Sequence, residues 1–257
     1  MAQLDFDAII SNGDTEIRNE IVSVINHAGG TTIDYSSDPH VACCILVDTS
    51  SSMQQGGKIQ ELNDALAAFK NAICEDPLSA RRVDVCVISF DNDVNLITPF
   101  CPIMKFEAPV LQAGGWTNMA AGIRYALEAV REQMSVYHRI GVECYKPFVL
   151  MITDGKPTDD MTGIAELIAS RESEGRYGRL RFHAFGVKGA DFQQLSSISK
   201  RVAAVNHNAF GEIFNWASRS MQVVSHSRPQ ETPPIPNLPA NIIGIDPNGP
   251  HKAPWDD

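Results

Sequence analysis

The sequence predicts an α/β chain: a mostly parallel central sheet with one antiparallel edge strand and helices on both faces. Three observations carry that prediction. From Val41 onward, short apolar runs alternate with segments of helical period. The runs are apolar throughout rather than at every second position, as in strands covered on both faces. The first of them, VACCILV, ends in VDTSSSM, one aspartate followed by a crowd of hydroxyls, and the carboxyl ends of strands are where open α/β sheets place their ligands.

Taken in order, Ile17, Ile21, Val24 and Ile25 form the stripe of an amphipathic helix stopped by Gly29 and Gly30, and TTIDY adds a possible strand. Residues 1–40 are therefore read as an extension packed on the domain. Strands are predicted at Val41–Val47, Val83–Phe90, Pro147–Thr153, Leu180–Val187 and Arg201–Val205. NLITPF, after the turn FDNDV, is the antiparallel hairpin partner of the second strand. Helical stripes lie between: Ile59, Leu62, Leu66, Phe69 and Ile73; Ile123, Leu127, Val130 and Met134; Ile164, Leu167 and Ile168; and finally Phe214, Ala217, Met221 and Val224. The domain spans residues 41–226. Eight of the 15 prolines fall after Ser227, and proline this dense opposes helix and interior strand. Residues 227–257 are thus expected to be an extended or surface-draped tail that folding does not need.

At 257 residues the chain is long enough for one sizeable core. A net charge of -10 and a pI near 5.1 argue against nucleic acid as a partner, because that affinity comes largely from Lys and Arg. No run approaches the roughly 18 apolar residues of a membrane span, and the opening MAQLDFDAII lacks the basic flank of a signal peptide. The expected location is cytoplasmic, with no membrane partner. Cys43, Cys44, Cys86 and Cys144 lie in or beside apolar segments and read as reduced core residues. Neither a CxxC pair nor HExxH is present, which weakens any zinc site.

Asp48, Ser50 and Ser52 have the spacing D-x-S-x-S, which in a tight turn can aim one carboxylate and two hydroxyls at one point. GGWTNM places Thr117 in a glycine-flanked loop, and MITDGKPTDD places Asp154 at the end of a strand. These are hard oxygen donors of the kind Mg2+ and Mn2+ take. Simpler roles compete. Ser50–Ser52 could cap the helix starting near Lys58; Asp159 and Asp160 read as a cap and an acidic first turn; Asp91, Asn92 and Asp93 read as hairpin turn residues. Trp116, beside Thr117, is either an interface residue on the same face or a buried loop anchor. The motifs G-x-S-x-G, G-x-x-x-x-G-K-[ST] and G-x-G-x-x-G are all missing, which removes the common hydrolase elbow and nucleotide cradles.

D-x-S-x-S, a lone Thr in a GG-x-T loop and an apolar strand ending in TDG, in that order, resemble the von Willebrand factor A family and its metal-ion-dependent adhesion site. The resemblance covers roughly Val41–Val224 and implies a Rossmann-like three-layer fold. It implies that Ser50, Ser52 and Thr117 coordinate Mg2+ (or Mn2+) directly, with Asp48 and Asp154 acting through waters or the second shell. It implies no catalysis: the ion captures a Glu or Asp carboxylate of a partner protein. The reduced cysteines and TDGKPTDD look like the bacterial intracellular branch, particularly TerY-type proteins of tellurium-resistance operons, which implies a stress role. A Mg2+/Mn2+-dependent phosphohydrolase, or a scaffold with a purely structural metal site, is the alternative.

Overall fold

The computed structural model describes residues 38–173, 180–206 and 209–246. The expected helix over Ile17–Ile25 and the strand TTIDY lie outside the described residues. The strands are β1 (Val41–Asp48), β2 (Val83–Phe90), β3 (Val94–Pro102), β4 (Phe148–Thr153), β5 (Arg181–Gly186), β6 (Val202–Val205) and β7 (Ile242–Gly244), in the spatial order β3-β2-β1-β4-β5-β6-β7. The five from β2 through β6 in that row are parallel, and β3 runs antiparallel to β2 as expected. The helices are α1 (Lys58–Cys74), α2 (Pro77–Arg82), α3 (Met119–Arg139), α4 (Ile164–Ser173), α5 (Phe192–Ile198) and α6 (Phe210–Ser225).

Every residue of β1 is buried, and the pleat divides its side chains between two layers. Val41, Cys43, Ile45 and Val47 meet Leu62, Leu66, Phe69 and Ile73 of α1 and Phe214, Ala217, Met221 and Val224 of α6. The rings of Phe69 and Phe214 lie 5.1 Å apart. On the other face Ala42, Cys44 and Leu46 meet Ile123, Leu127, Val130 and Met134 of α3 and Ile164 and Ile168 of α4. The apolar stripes read from the sequence are thus the two inner faces of a three-layer sandwich. All six cysteines are unpaired thiols. No helix among the described residues is long and apolar enough to cross a membrane.

The Pro-rich segment departs from expectation. Ile242–Gly244 pairs antiparallel with β6 and adds a second antiparallel edge opposite β3. Ile242 and Ile245 are buried, Ile235 and Leu238 pack on the core, and the Trp216 indole N–H donates to the Pro236 carbonyl at 2.9 Å. The prolines stand outside the strand, where no ladder N–H is needed. A four-residue β6 without β7 would be an open apolar edge.

Two short helices have no period to show in the sequence. Both start at an aspartate whose carboxylate accepts a backbone N–H three residues on: Asp76 from Ser79 and Asp191 from Gln194, each at 3.0 Å.

Candidate functional site

β1 is followed in sequence by β2 on one side and paired with β4 on the other, so a topological switch point lies at the carboxyl ends of β1 and β4. Val47 is in register with Ile152, which puts Asp48 and the Thr153–Asp154 pair side by side. Asp48 is fully buried. Its Oδ1 accepts the Ser50 N–H at 2.8 Å and its Oδ2 the Thr153 hydroxyl at 2.5 Å. Burial nevertheless pushes its carboxyl up to about 6, against the lowering by Ser50 and Thr153 and with a smaller push from the Asp154 charge.

From Asp48 the chain enters a 3-10 turn, Ser51–Gly57, whose Gly56 and Gly57 adopt positive φ of 67° and 76°. These glycines let α1 start abruptly. The N-cap of α1 is Gly57, and neither it nor Ser50 makes a side-chain cap. The helix-cap reading of Ser50–Ser52 is therefore wrong: the turn separates these hydroxyls from the helix. Ser50 and Ser52 face the site instead, while the Ser51 hydroxyl donates to the Gly115 carbonyl at 2.9 Å. Ser50 Oγ and Ser52 Oγ lie 3.0 Å apart, and the Ser52 hydroxyl donates to Asp154 Oδ1 at 2.6 Å.

Thr117 precedes α3 and is clamped by Thr158, whose Oγ1 accepts the Thr117 N–H at 3.1 Å and whose N–H donates to the Thr117 carbonyl at 2.9 Å. Asp159 does not cap the helix after it. It reaches across to accept the N–H groups of Ala120 and Ala121 at 3.1 and 2.9 Å, so it caps α3 next to Thr117. Asp160 accepts the Thr162 N–H at 2.9 Å, within its own loop. Gly155 closes the gap between the loops: a Cβ there would stand 3.0 Å from Thr117 Oγ1 and 3.2 Å from Asp48 Oδ2. Gly189 is equally constrained, with φ of 113° and the Asp154 carbonyl 2.5 Å from a would-be Cβ.

Asp91 and Asn92 do form the hairpin turn, and they also fasten the rim. Asp91 accepts the Thr49 hydroxyl at 2.8 Å, Asn92 Oδ1 accepts the Trp116 N–H at 2.9 Å, and the Asn92 carbonyl accepts from Asn118 Nδ2 at 2.6 Å. Only the backbone of Trp116 is held. Its side chain is 70% exposed beside Thr117, which removes the buried-anchor reading.

All five sequence-predicted residues, Asp48, Ser50, Ser52, Thr117 and Asp154, thus meet at one rim. Two neighbours carry no motif of their own in the sequence. Thr153 orients Asp48, and its only signal was its place just before Asp154. Lys58 pairs with Asp154 Oδ2 and donates to the Lys188 carbonyl at 3.0 Å. A cleft of roughly 560 Å³ opens here, lined among others by Ser52, Lys58, Thr117, Asp154, Lys156 and Lys188.

The donor set fits a small hard cation. Ligands about 2.1 Å from an octahedral Mg2+ lie about 3.0 Å apart along each edge, which is the Ser50–Ser52 oxygen separation. Among the described residues no group of three or more His, Cys, Asp or Glu forms a competing metal cluster.

A family model described as the von Willebrand factor type A domain matches residues 43–216. No curated protein matches the sequence significantly. Among solved structures, the pilus adhesin SpaC from Lactobacillus rhamnosus GG is 13% identical with a TM-score of 0.52, over 74% of this chain and 31% of that one. Proximal thread matrix protein 1 from the mussel byssus, with a zinc-occupied MIDAS motif, is 15% identical with a TM-score of 0.46, over 72% and 47%. The ArnB paralog VWA2 from Sulfolobus acidocaldarius is 13% identical with a TM-score of 0.44, over 72% and 46%. The chain thus spans less than half the length of each of these structures.

Proposed function

Because the chain belongs to the von Willebrand factor type A domain family, we propose that it is a protein-interaction module that holds Mg2+ (or Mn2+) at this rim and uses it to capture a Glu or Asp of a partner. The observation that carries this reading is the convergence of three hydroxyls and two carboxylates from three separate loops, none of the serines being spent on a helix cap. Ser50, Ser52 and Thr117 would hold the ion, with Asp48 and Asp154 behind them. The ion, so held by neutral oxygens, supplies a positive centre for a carboxylate. The chain's own residues fix the oxygens: Thr153 and the Ser50 N–H orient Asp48, and Thr158 and Asp159 set the turn carrying Thr117.

The reading is non-enzymatic. A phosphohydrolase using Asp48 as nucleophile calls for a second acid two residues on, where this chain has Ser50, and both Asp48 oxygens already accept hydrogen bonds. Six unpaired thiols favour a reducing, cytoplasmic setting, the setting of the intracellular TerY-like branch to which the proposal assigns the chain. Thermal melts test the site. At about ten times its dissociation constant, Mg2+ should stabilise the protein by roughly 1.4 kcal/mol relative to EDTA. Asp48→Ala, Ser50→Ala and Thr117→Ala should each remove that gain; an equal gain in all three would place the ion elsewhere.

A further inference from the structure

Lys58 is the first residue of α1, where the helix dipole disfavours a cation. Its side chain is nonetheless only 12% exposed and pairs with Asp154 Oδ2, while the Lys188 carbonyl takes a second N–H at 3.0 Å. Asp154 Oδ1 already accepts the Ser52 hydroxyl at 2.6 Å. Asp154 therefore has both oxygens engaged by the chain itself, and one partner is a full positive charge. Asp48, by contrast, is held by neutral donors alone, the Ser50 N–H and the Thr153 hydroxyl.

Counting charges gives the consequence. Among the groups bonded to one another at the rim, two carboxylates and the Lys58 ammonium sum to −1, and a divalent ion would bring them to +1; Lys156 and Lys188, which line the cleft, move both sums equally. Without Lys58 the same bonded groups would go from −2 to neutral, one charge lower in each state. We infer that Lys58 is a specificity-determining residue that weakens the rim's hold on the divalent ion and strengthens the loaded rim's hold on a carboxylate. Coulomb interactions over the few ångströms separating these groups are strong enough for both effects. Lys58 also joins the loops after β4 and β5 to the start of α1, so its charge is fixed at the rim. This inference rests on the metal-dependent reading above and adds to it the net charge that makes the loaded rim seek an anion.

The test uses the full chain, with Mn2+ as metal probe and acetate as carboxylate probe. Lys58→Gln removes the charge and keeps donors; Lys58→Arg keeps the charge. Free Mn2+ is followed by electron paramagnetic resonance, and acetate binding by relaxation of its methyl protons by bound Mn2+. Lys58→Gln should bind Mn2+ about tenfold more tightly than wild type, equivalent to about 1.4 kcal/mol, and its loaded form should bind acetate several-fold more weakly. Lys58→Arg should match wild type in both. Melts in EDTA establish that each variant is folded. Unchanged or weaker Mn2+ binding by Lys58→Gln overturns the inference while leaving the metal site standing, and Lys58→Arg decides the case if Lys58→Gln does not fold: a shift in either affinity with the charge retained overturns it. Wild type without saturable Mn2+ binding sensitive to Asp48→Ala overturns both the inference and the reading beneath it.

Discussion

Two buried groups pull stability in opposite directions with pH. His183 lies against Phe148, Phe185 and Trp216, and burial, with Arg201 and Arg181 nearby, lowers it to about 3. Between roughly pH 3 and 6.5 the unfolded chain holds a proton on His183 that the folded chain does not, so folding stability rises with pH. Asp48 is the reverse: burial raises its folded carboxyl to about 6, above the ordinary carboxylate value of 3.8, so its contribution is present below that range and lost as pH rises through 6. From pH 4 to 6 the two slopes oppose. In EDTA, Asp48→Asn should make stability climb by about 1.4 kcal/mol per pH unit more steeply than wild type, and His183→Phe should make it fall by a similar amount. Urea unfolding at pH 4, 5 and 6 measures this; parallel slopes in all three proteins would refute it. Trp116 makes a separate prediction. Being 70% exposed, it should be replaceable by Ala within about 0.5 kcal/mol of stability and with unchanged Mg2+ affinity, yet with a clear loss of Mg2+-dependent partner capture. A drop of several degrees in melting temperature would return it to a structural role.

At the scale of elements, the strands and long helices were legible because each carries its burial in its own period. All eight residues of β1 and of β2 are buried, and α1 and α3 bury the stripes their sequences display. Legibility failed where the partner is distant in sequence. Asp159 looks like the cap of its own helix, but the amides it satisfies belong to Ala120 and Ala121, 39 and 38 residues away. Lys58 is an ordinary surface residue on paper and reaches Asp154 only once β1 and β4 are neighbours. α2 and α5, at 6 and 7 residues, are too short to show a period. The remote cap has a measurable consequence. Asp159→Ala should cost about 1 kcal/mol in urea unfolding in EDTA and should also reduce the Mg2+ gain, because Thr117 rides on the same turn. Asp160→Ala removes only a loop bond to Thr162 and should stay within about 0.5 kcal/mol of wild type.

Across the whole molecule, one sheet joins the rim at its carboxyl ends to the Pro-rich segment at its far edge. β4, which leads to Asp154, is followed across the sheet by β5, β6 and β7, and Ile242 belongs to the same core cluster as Val47 and Phe214. The prolines concealed this from the sequence, because a three-residue strand between them has no alternation long enough to read. In the structure the alternation is plain: Ile242 is 3% exposed while its neighbour Ile243 is 40% exposed. Truncation after Ser227 removes the burial of Ile242 and Ile245 and opens the β6 edge. At about 1.5–3 kcal/mol for each buried isoleucine, the loss should be at least about 3 kcal/mol, or some 6–12 °C in melting temperature for a domain of this size. The exposed edge should also favour aggregation. Point changes separate docking from mere chain length: Ile242→Ala should cost about 2–5 kcal/mol, whereas Ile243→Ser, on the exposed face, should cost well under 1 kcal/mol. Equal effects of the two, or a truncated protein that melts like the full chain, would show that the segment is draped over the surface and not part of the sheet.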